Sequence, residues 1–160
     1  APGAGTTTSV LTIANDANSL QQIGFSFPFQ GSAFTAMYVT DDGYVSFVNE
    51  KAQFPGPGGW NVYQAPRIAA LWSDYDLADG GTITLDKYVD KVVVTWDGVL
   101  VWAAGVTPNQ FQLVLWANGD ISMSWLQIDT LNHLPTTVSG FVTMVGALVG
   151  QPPAQTDFIP

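Results

Sequence analysis

Met37-Tyr38-Val39-Thr40, then Asp41-Asp42-Gly43, then Tyr44-Val45-Ser46-Phe47-Val48: two β-rich runs are joined by an acidic step that ends in glycine. The Asp-Gly pair predicts a tight hairpin. Glycine reaches the positive φ that such a turn needs, and β-branched and aromatic residues suit a pleated, half-buried surface. The same grammar recurs outward from this unit. Phe111 to Trp116, Asn118-Gly119 and Asp120 to Leu126 form a second hairpin, whose second arm alternates Ile121, Met123 and Trp125 with Asp120, Ser122 and Ser124. That period of two marks a strand with one face in the core and one in water. Thr82 to Tyr88, a bend at Asp90-Lys91, and Val92 to Trp96 make a third.

Arg67 to Trp72 is a continuous apolar run and is expected as a central strand. Leu100 to Ala103, Gly140 to Leu148, Leu11 to Ile13 and Phe25 to Phe27 complete the set. With about ten short strands at this turn spacing and little or no helix, the fold class is all-β: an antiparallel β-sandwich, jelly-roll-like. Residues 1–13 read as an N-terminal extension and 14–160 as a single sandwich domain. Phe54 to Pro66 carries too much Pro and Gly to lie in a sheet and is expected as a long loop.

Composition narrows the function classes. Hydrophobic residues make up 47% of the 160 and charged residues 11%, the reverse of a disordered chain. Four Lys and Arg against thirteen Asp and Glu give a net charge of −9, so nucleic acid and anionic membranes are poor partners. There is no cysteine, which removes disulfides, thiolate metal sites and thiol nucleophiles, and the single histidine, His133, excludes a two-histidine metal site within the chain. Glu50 is the only glutamate, so the charged face of an amphipathic helix is missing. No stretch predicts a transmembrane helix. The chain is expected to be secreted, extracellular or on the cell surface, with a signal peptide already removed.

Several segments together resemble a known module. Ile23 to Gly31 (Ile-Gly-Phe-Ser-Phe-Pro-Phe-Gln-Gly) resembles its opening aromatic pattern, and Tyr38 to Phe47 its next hairpin. Ile68 to Leu77 (Ile-Ala-Ala-Leu-Trp-Ser-Asp-Tyr-Asp-Leu), closed by Gly80-Gly81, is similar to its Ile-Ala-Pro-Phe-Trp-Asp-Asp-Leu-Asp stretch. Phe111 to Trp125 and Val145 to Phe158 are similar to its later hairpin and its closing run. The module is the nidogen-like β-sandwich of secreted and cell-surface proteins, bacterial ones especially. The resemblance spans roughly residues 20 to 158. Asp42 stands where the family usually has Asn, and the closing stretch is short and carries Pro152-Pro153. The resemblance implies a non-catalytic part of an adhesin or extracellular assembly, and it carries no ligand.

Three groups of residues are candidates for chemistry or contact. Asp74, Asp76 and Asp79, before Gly80-Gly81, form the densest acidic cluster and could hold Ca²⁺ through oxygen ligands. The same side chains equally suit a strand end, where they accept backbone N–H bonds. An EF-hand is excluded, because Ala78, Asp79 and Leu85 stand where a ligand, the turn glycine and the terminal acid belong. Phe54, Trp60 and Tyr63 lie in the long loop and either cap the sandwich or meet a ligand such as a glycan. The Thr-rich run Thr6 to Ile13, with Thr8, Val10 and Thr12, has the β-propensity to pair with an edge strand of a neighbouring subunit. No nucleophile elbow accompanies His133, and no carboxylate pair shows the asymmetry of an acid–base couple. The expected function is therefore a structural or interaction protein, not an enzyme: a subunit of a cell-surface or filamentous assembly or an adhesin, self-associating or bound to other surface components. The alternative is a binding module for carbohydrate or another small ligand through the loop aromatics.

Overall fold

The computed structural model describes residues 6–50, 65–103, 106–130 and 144–149. Its elements are ten strands: β1 (Thr7–Leu11), β2 (Asn18–Phe29), β3 (Ser32–Thr40), β4 (Tyr44–Ser46), β5 (Pro66–Trp72), β6 (Thr82–Lys87), β7 (Lys91–Val99), β8 (Asn109–Trp116), β9 (Ile121–Gln127) and β10 (Met144–Val149). They form two five-stranded sheets, β1-β6-β7-β8-β9 and β10-β5-β4-β3-β2, and every pairing is antiparallel. Each sheet is a four-strand meander plus one strand from the other half of the chain. β1 leaves the β2–β5 half to pair with β6, and β10 leaves the β6–β9 half to pair with β5. The two-layer sandwich is as expected. Its connectivity refines the jelly-roll comparison, since hairpins within each layer replace interleaved Greek keys.

Period-two burial builds the core. β8 buries Asn109, Phe111, Leu113 and Leu115 and turns the residues between them outward. Their neighbours in register on β7, Val92, Val94 and Trp96, are buried too. Ile23, Phe27, Met37, Val39, Val45, Ile68 and Ala70 from the second sheet complete one continuous cluster between the layers. Each large apolar side chain removed from water contributes about 1.5–3 kcal/mol, which makes this cluster the main source of stability.

Two indoles tie the layers together. Trp96 on β7 is fully buried, stacks on Phe111 at 5.1 Å and donates from Nε1 to the Thr40 carbonyl at 3.0 Å. Trp125 on β9 donates from Nε1 to the Ala70 carbonyl at 2.8 Å. Trp96→Phe keeps an aromatic ring but is smaller than the indole and leaves the Thr40 carbonyl without its donor. A loss of about 1–3 kcal/mol is expected in urea denaturation, with the m-value unchanged.

The Asp41-Asp42-Gly43 step is the turn between β3 and β4, as its sequence predicts. Gly43 presents its carbonyl to both Ala70 N–H (3.1 Å) and Leu71 N–H (3.3 Å). Two consecutive donors on one acceptor break the alternation of β5. Ile68, Ala70 and Leu71 belong to the core between the sheets, whereas Ala69 and Trp72 join Tyr44 in a second buried cluster. The Arg67 guanidinium lies over the rings of Tyr44 and Trp72, 4.9 and 4.8 Å from their centroids, and its Nη2 pairs with Glu50 Oε2 at 2.6 Å.

Some boundaries differ from the expectation. Leu100 to Ala103 is not a strand. Only Val101 makes a bridge, to Tyr75, and the chain turns at Trp102-Ala103, where Ala103 has a φ of 57°. β7 already runs on to Val99 through a register shift past Asp97, so Leu100 follows directly on a strand that has just ended. The first strand starts four residues earlier than Leu11, at Thr7, and Leu11 and Ile13 are buried in the core. The stretch expected as an extension up to residue 13 thus contains a strand of the sandwich itself. Within the expected strand Gly140 to Leu148, residues 140–143 lie outside the described residues.

Candidate functional site

The N-terminal strand and the turn beside its connector form the most distinctive surface. β1 is an edge strand, hydrogen-bonded to β6 in the register Thr7↔Lys87 to Leu11↔Ile83. Thr8 Oγ1 donates to an Asp86 carboxylate oxygen, and Ser9 Oγ donates to the Leu85 carbonyl at 3.4 Å. Val10 is 67% exposed and Thr8 and Thr12 are exposed, while Leu11 is buried. The backbone ladder, the buried Leu11 and the side-chain bonds of Thr8 and Ser9 hold β1, while Val10 and Thr12 stay exposed. The strand expected to reach for a neighbour is seated on its own chain.

A short connector, residues 12–17, carries the chain from β1 to the other sheet. It meets the β3–β4 turn there: Ala17 N–H donates to Asp41 Oδ1 at 3.3 Å. Asp42 Oδ1 accepts from Tyr75 N–H at 3.2 Å, and the Asp42 carbonyl accepts from Ser73 N–H at 3.2 Å. The turn thus clamps the connector on one side and the segment after β5 on the other. Asp41 and Asp42 are both fully buried, and the Oδ2 atom of each has no hydrogen-bond partner. Asp74 is buried beside them.

Burying carboxyls together raises their affinity for protons. Burial is the main cause that pushes Asp41 up to about 7, against the backbone N–H bonds that it accepts. Burial, then the charges of Asp41, Asp74 and Asp16, push Asp42 well above the usual carboxylate range. Burial, then Asp16 and Asp76, push Asp74 up to about 6. Burial, then Asp42 and Asp129, raise the Tyr75 hydroxyl well above its ordinary value, and that hydroxyl donates to the Leu71 carbonyl at 3.1 Å.

The expected calcium set is not brought together. Among the described residues no three His, Asp or Glu side chains converge to hold a metal ion. Asp76 closes a turn instead, accepting Ala78 N–H at Oδ1 (2.8 Å) and Asp79 N–H at its carbonyl (3.0 Å), and Asp79 is exposed. Phe54, Trp60, Tyr63 and His133 lie outside the described residues. The reading of the sequence missed Asp41 and Asp42, which looked like ordinary turn formers. Two adjacent acids between apolar strands were the one available signal.

Elsewhere, a shallow cavity of about 300 Å³ lies against β7, β8 and β9, lined by Thr95, Gln110, Gln112, Ser124 and Leu126 with parts of two aromatic residues. That lining contains no acid or base. The bulge between Gln110 and Phe111 leaves Leu126 80% exposed at the sheet edge. No helix among the described residues is long and apolar enough to cross a membrane. A family model described as NIDO related matches residues 2–133. No solved structure matches the chain.

Proposed function

The chain belongs to the NIDO-related family, and from that premise we propose that it is a non-catalytic extracellular sandwich: a structural or interaction subunit of a cell-surface or filamentous assembly, joined to its neighbours through its N-terminal strand. The family fits an extracellular context, and the scarcity of cations argues for protein partners rather than nucleic acid.

The observation that carries this reading is the seat of β1. A mostly exposed edge strand from the other half of the chain occupies the edge of β6 through a backbone ladder. Every copy offers the same edge, so the same strand from another copy fits it with the same contacts. Exchange of this kind costs little beyond the connector's rearrangement, and when it does not close on itself it builds an open fibre. The strand has no charge and no proline, the usual protections against edge pairing.

The test uses the absence of native cysteine. Thr8 and Asp86 are register partners. Chains carrying Thr8→Cys are mixed with chains carrying Asp86→Cys under mild oxidation. Exchange is expected to yield a Thr8→Cys–Asp86→Cys disulfide between different chains, seen as a dimer on a non-reducing gel, because facing cross-strand positions suit a disulfide. Deleting residues 1–13 is expected to abolish polymers seen by electron microscopy. A mixture that gives no inter-chain disulfide, together with normal assembly of the truncated chain, would sink the proposal.

A further inference from the structure

We infer that the groove over β7, β8 and β9 is a weak binding site for a neutral saccharide. The inference stands apart from the assembly reading, and it uses none of the loop aromatics.

The groove follows from the strand register. Thr95 on β7 pairs with Gln112 on β8, and Gln112 pairs with Ser124 on β9. Direct cross-strand partners project from the same face of a sheet, so these three side chains form one row. The row lies on the face away from the core, because Phe111 and Leu113 on either side of Gln112 are buried. Gln112 Nε2 donates to Thr95 Oγ1 at 2.9 Å, which fixes the amide within the row. Gln110, two residues earlier on β8, shares that face. An irregularity builds the wall. Gln110 pairs with Gln127 and Phe111 with Trp125, so Leu126 is an extra residue on β9 with no partner opposite. A bulge of this kind bends its strand and re-aims a side chain. Here it sets a leucine that is 80% exposed beside the amides of Gln110 and Gln112 and the hydroxyls of Thr95 and Ser124, around a cavity of about 300 Å³.

The chemistry of the lining selects the ligand. Thr, Ser and Gln side chains each donate and accept, so the groove matches a partner whose own groups do both. Sugar hydroxyls have that property, and the C–H face of a sugar ring meets an exposed leucine without leaving a polar group unpaired. The charged residue in register beside the groove is Asp97, exposed on β7 opposite Gln110. Its carboxylate accepts hydroxyl hydrogens and repels anions, and the net charge of −9 acts in the same direction, so uronic and sialic acid chains are disfavoured. The volume sits at the small end of the roughly 300–1,000 Å³ of ligand clefts, which suits about one or two sugar rings held with millimolar affinity.

The experiment is saturation-transfer NMR on the full-length chain with mannotriose, cellotriose and maltotriose, and with trigalacturonate as the anionic counterpart. At least one of the neutral trisaccharides is expected to gain saturation, with a Kd of about 1 mM, and trigalacturonate is expected to gain none. Leu126→Ala is expected to weaken the binding about fivefold and Gln112→Ala about tenfold. Leu126 is 80% exposed, so its variant keeps the fold, and an unchanged melting temperature checks this. Trp60→Ala is expected to leave the binding as it is. Absence of saturation for all three neutral sugars at about 10 mM would overturn the site, and this arm needs no variant to fold. Equal saturation of trigalacturonate would overturn it too, because charge would then play no part in selection. Binding that Trp60→Ala abolishes and Leu126→Ala leaves intact would move the sugar to the long loop and equally overturn it.

Discussion

The melting temperature of the chain is expected to fall by roughly 10 °C as the pH is raised from about 4 to about 8, in contrast to the usual acid lability of proteins with paired carboxylates. Asp41, Asp42 and Asp74 all bind protons more tightly in the folded state than in the unfolded chain, with Asp41 at about 7 and Asp74 at about 6 against an ordinary 3.8. The stability that they contribute is complete below the unfolded value and is lost as the pH rises through the folded values. Water that still reaches part of Asp74 and Asp41 screens much of this, so these carboxyls together are worth on the order of 3 kcal/mol across the window, a sizeable part of the 5–15 kcal/mol that an ordinary domain has. Self-repulsion of a chain with a formal charge of −9 at pH 7 acts in the same direction. Asp42→Asn removes one titrating group with little change of shape. Its melting temperature is expected to exceed the wild type's at pH 8 and to depend less on pH. Differential scanning calorimetry between pH 4 and pH 8 decides the matter: a flat or rising wild-type profile would show that these carboxyls are not held protonated.

The contrast between hairpins and site shows which information is local. The turns at Asp42-Gly43 and Asn118-Gly119 were legible because a positive φ and its flanking strands are set within a few residues; Gly43 has a φ of 80° and Gly119 one of 94°. The failed strand at Leu100–Ala103 was also a local judgement. Its apolar residues fit a strand, but β7 had extended to Val99, which periodicity alone does not reveal. The buried acids were illegible for a different reason. Asp41 and Asp42 come from one part of the chain and Asp74 from another, and their burial depends on how the connector and the segment after β5 close over one turn. Asp76 and Asp79 drew attention because they are dense in sequence, yet Asp76 closes a turn and Asp79 is exposed. Arg67 shows the same limit. Inside an apolar run it is buried by aromatic faces and a carboxylate that lie on or beyond other strands, or at the far end of its own.

Gly43→Ala is expected to cost at least about 3 kcal/mol, because two independent penalties fall on one atom. The first is conformational: a φ of 80° is disfavoured for any residue with a Cβ. The second is steric: a Cβ there would sit 2.2 Å from the Leu71 carbonyl oxygen, a backbone atom that cannot rotate away. Relief requires the turn to retreat from β5, which breaks the paired bonds from Ala70 and Leu71 to the Gly43 carbonyl. It also shifts Asp42 away from Tyr75 N–H. Gly24 provides the internal control. Its φ is 94°, but nothing lies within 4 Å of the position that its Cβ would take. Gly24→Ala therefore incurs only the conformational penalty, about 1–2 kcal/mol. Equilibrium denaturation of the two variants separates the effects, and equal losses would show that the close approach of the turn to β5 is not rigid. The same comparison carries a second readout. Movement of the turn also loosens Ala17 from Asp41, so Gly43→Ala is expected to lower the exchange protection of β1, whereas Gly24→Ala is not.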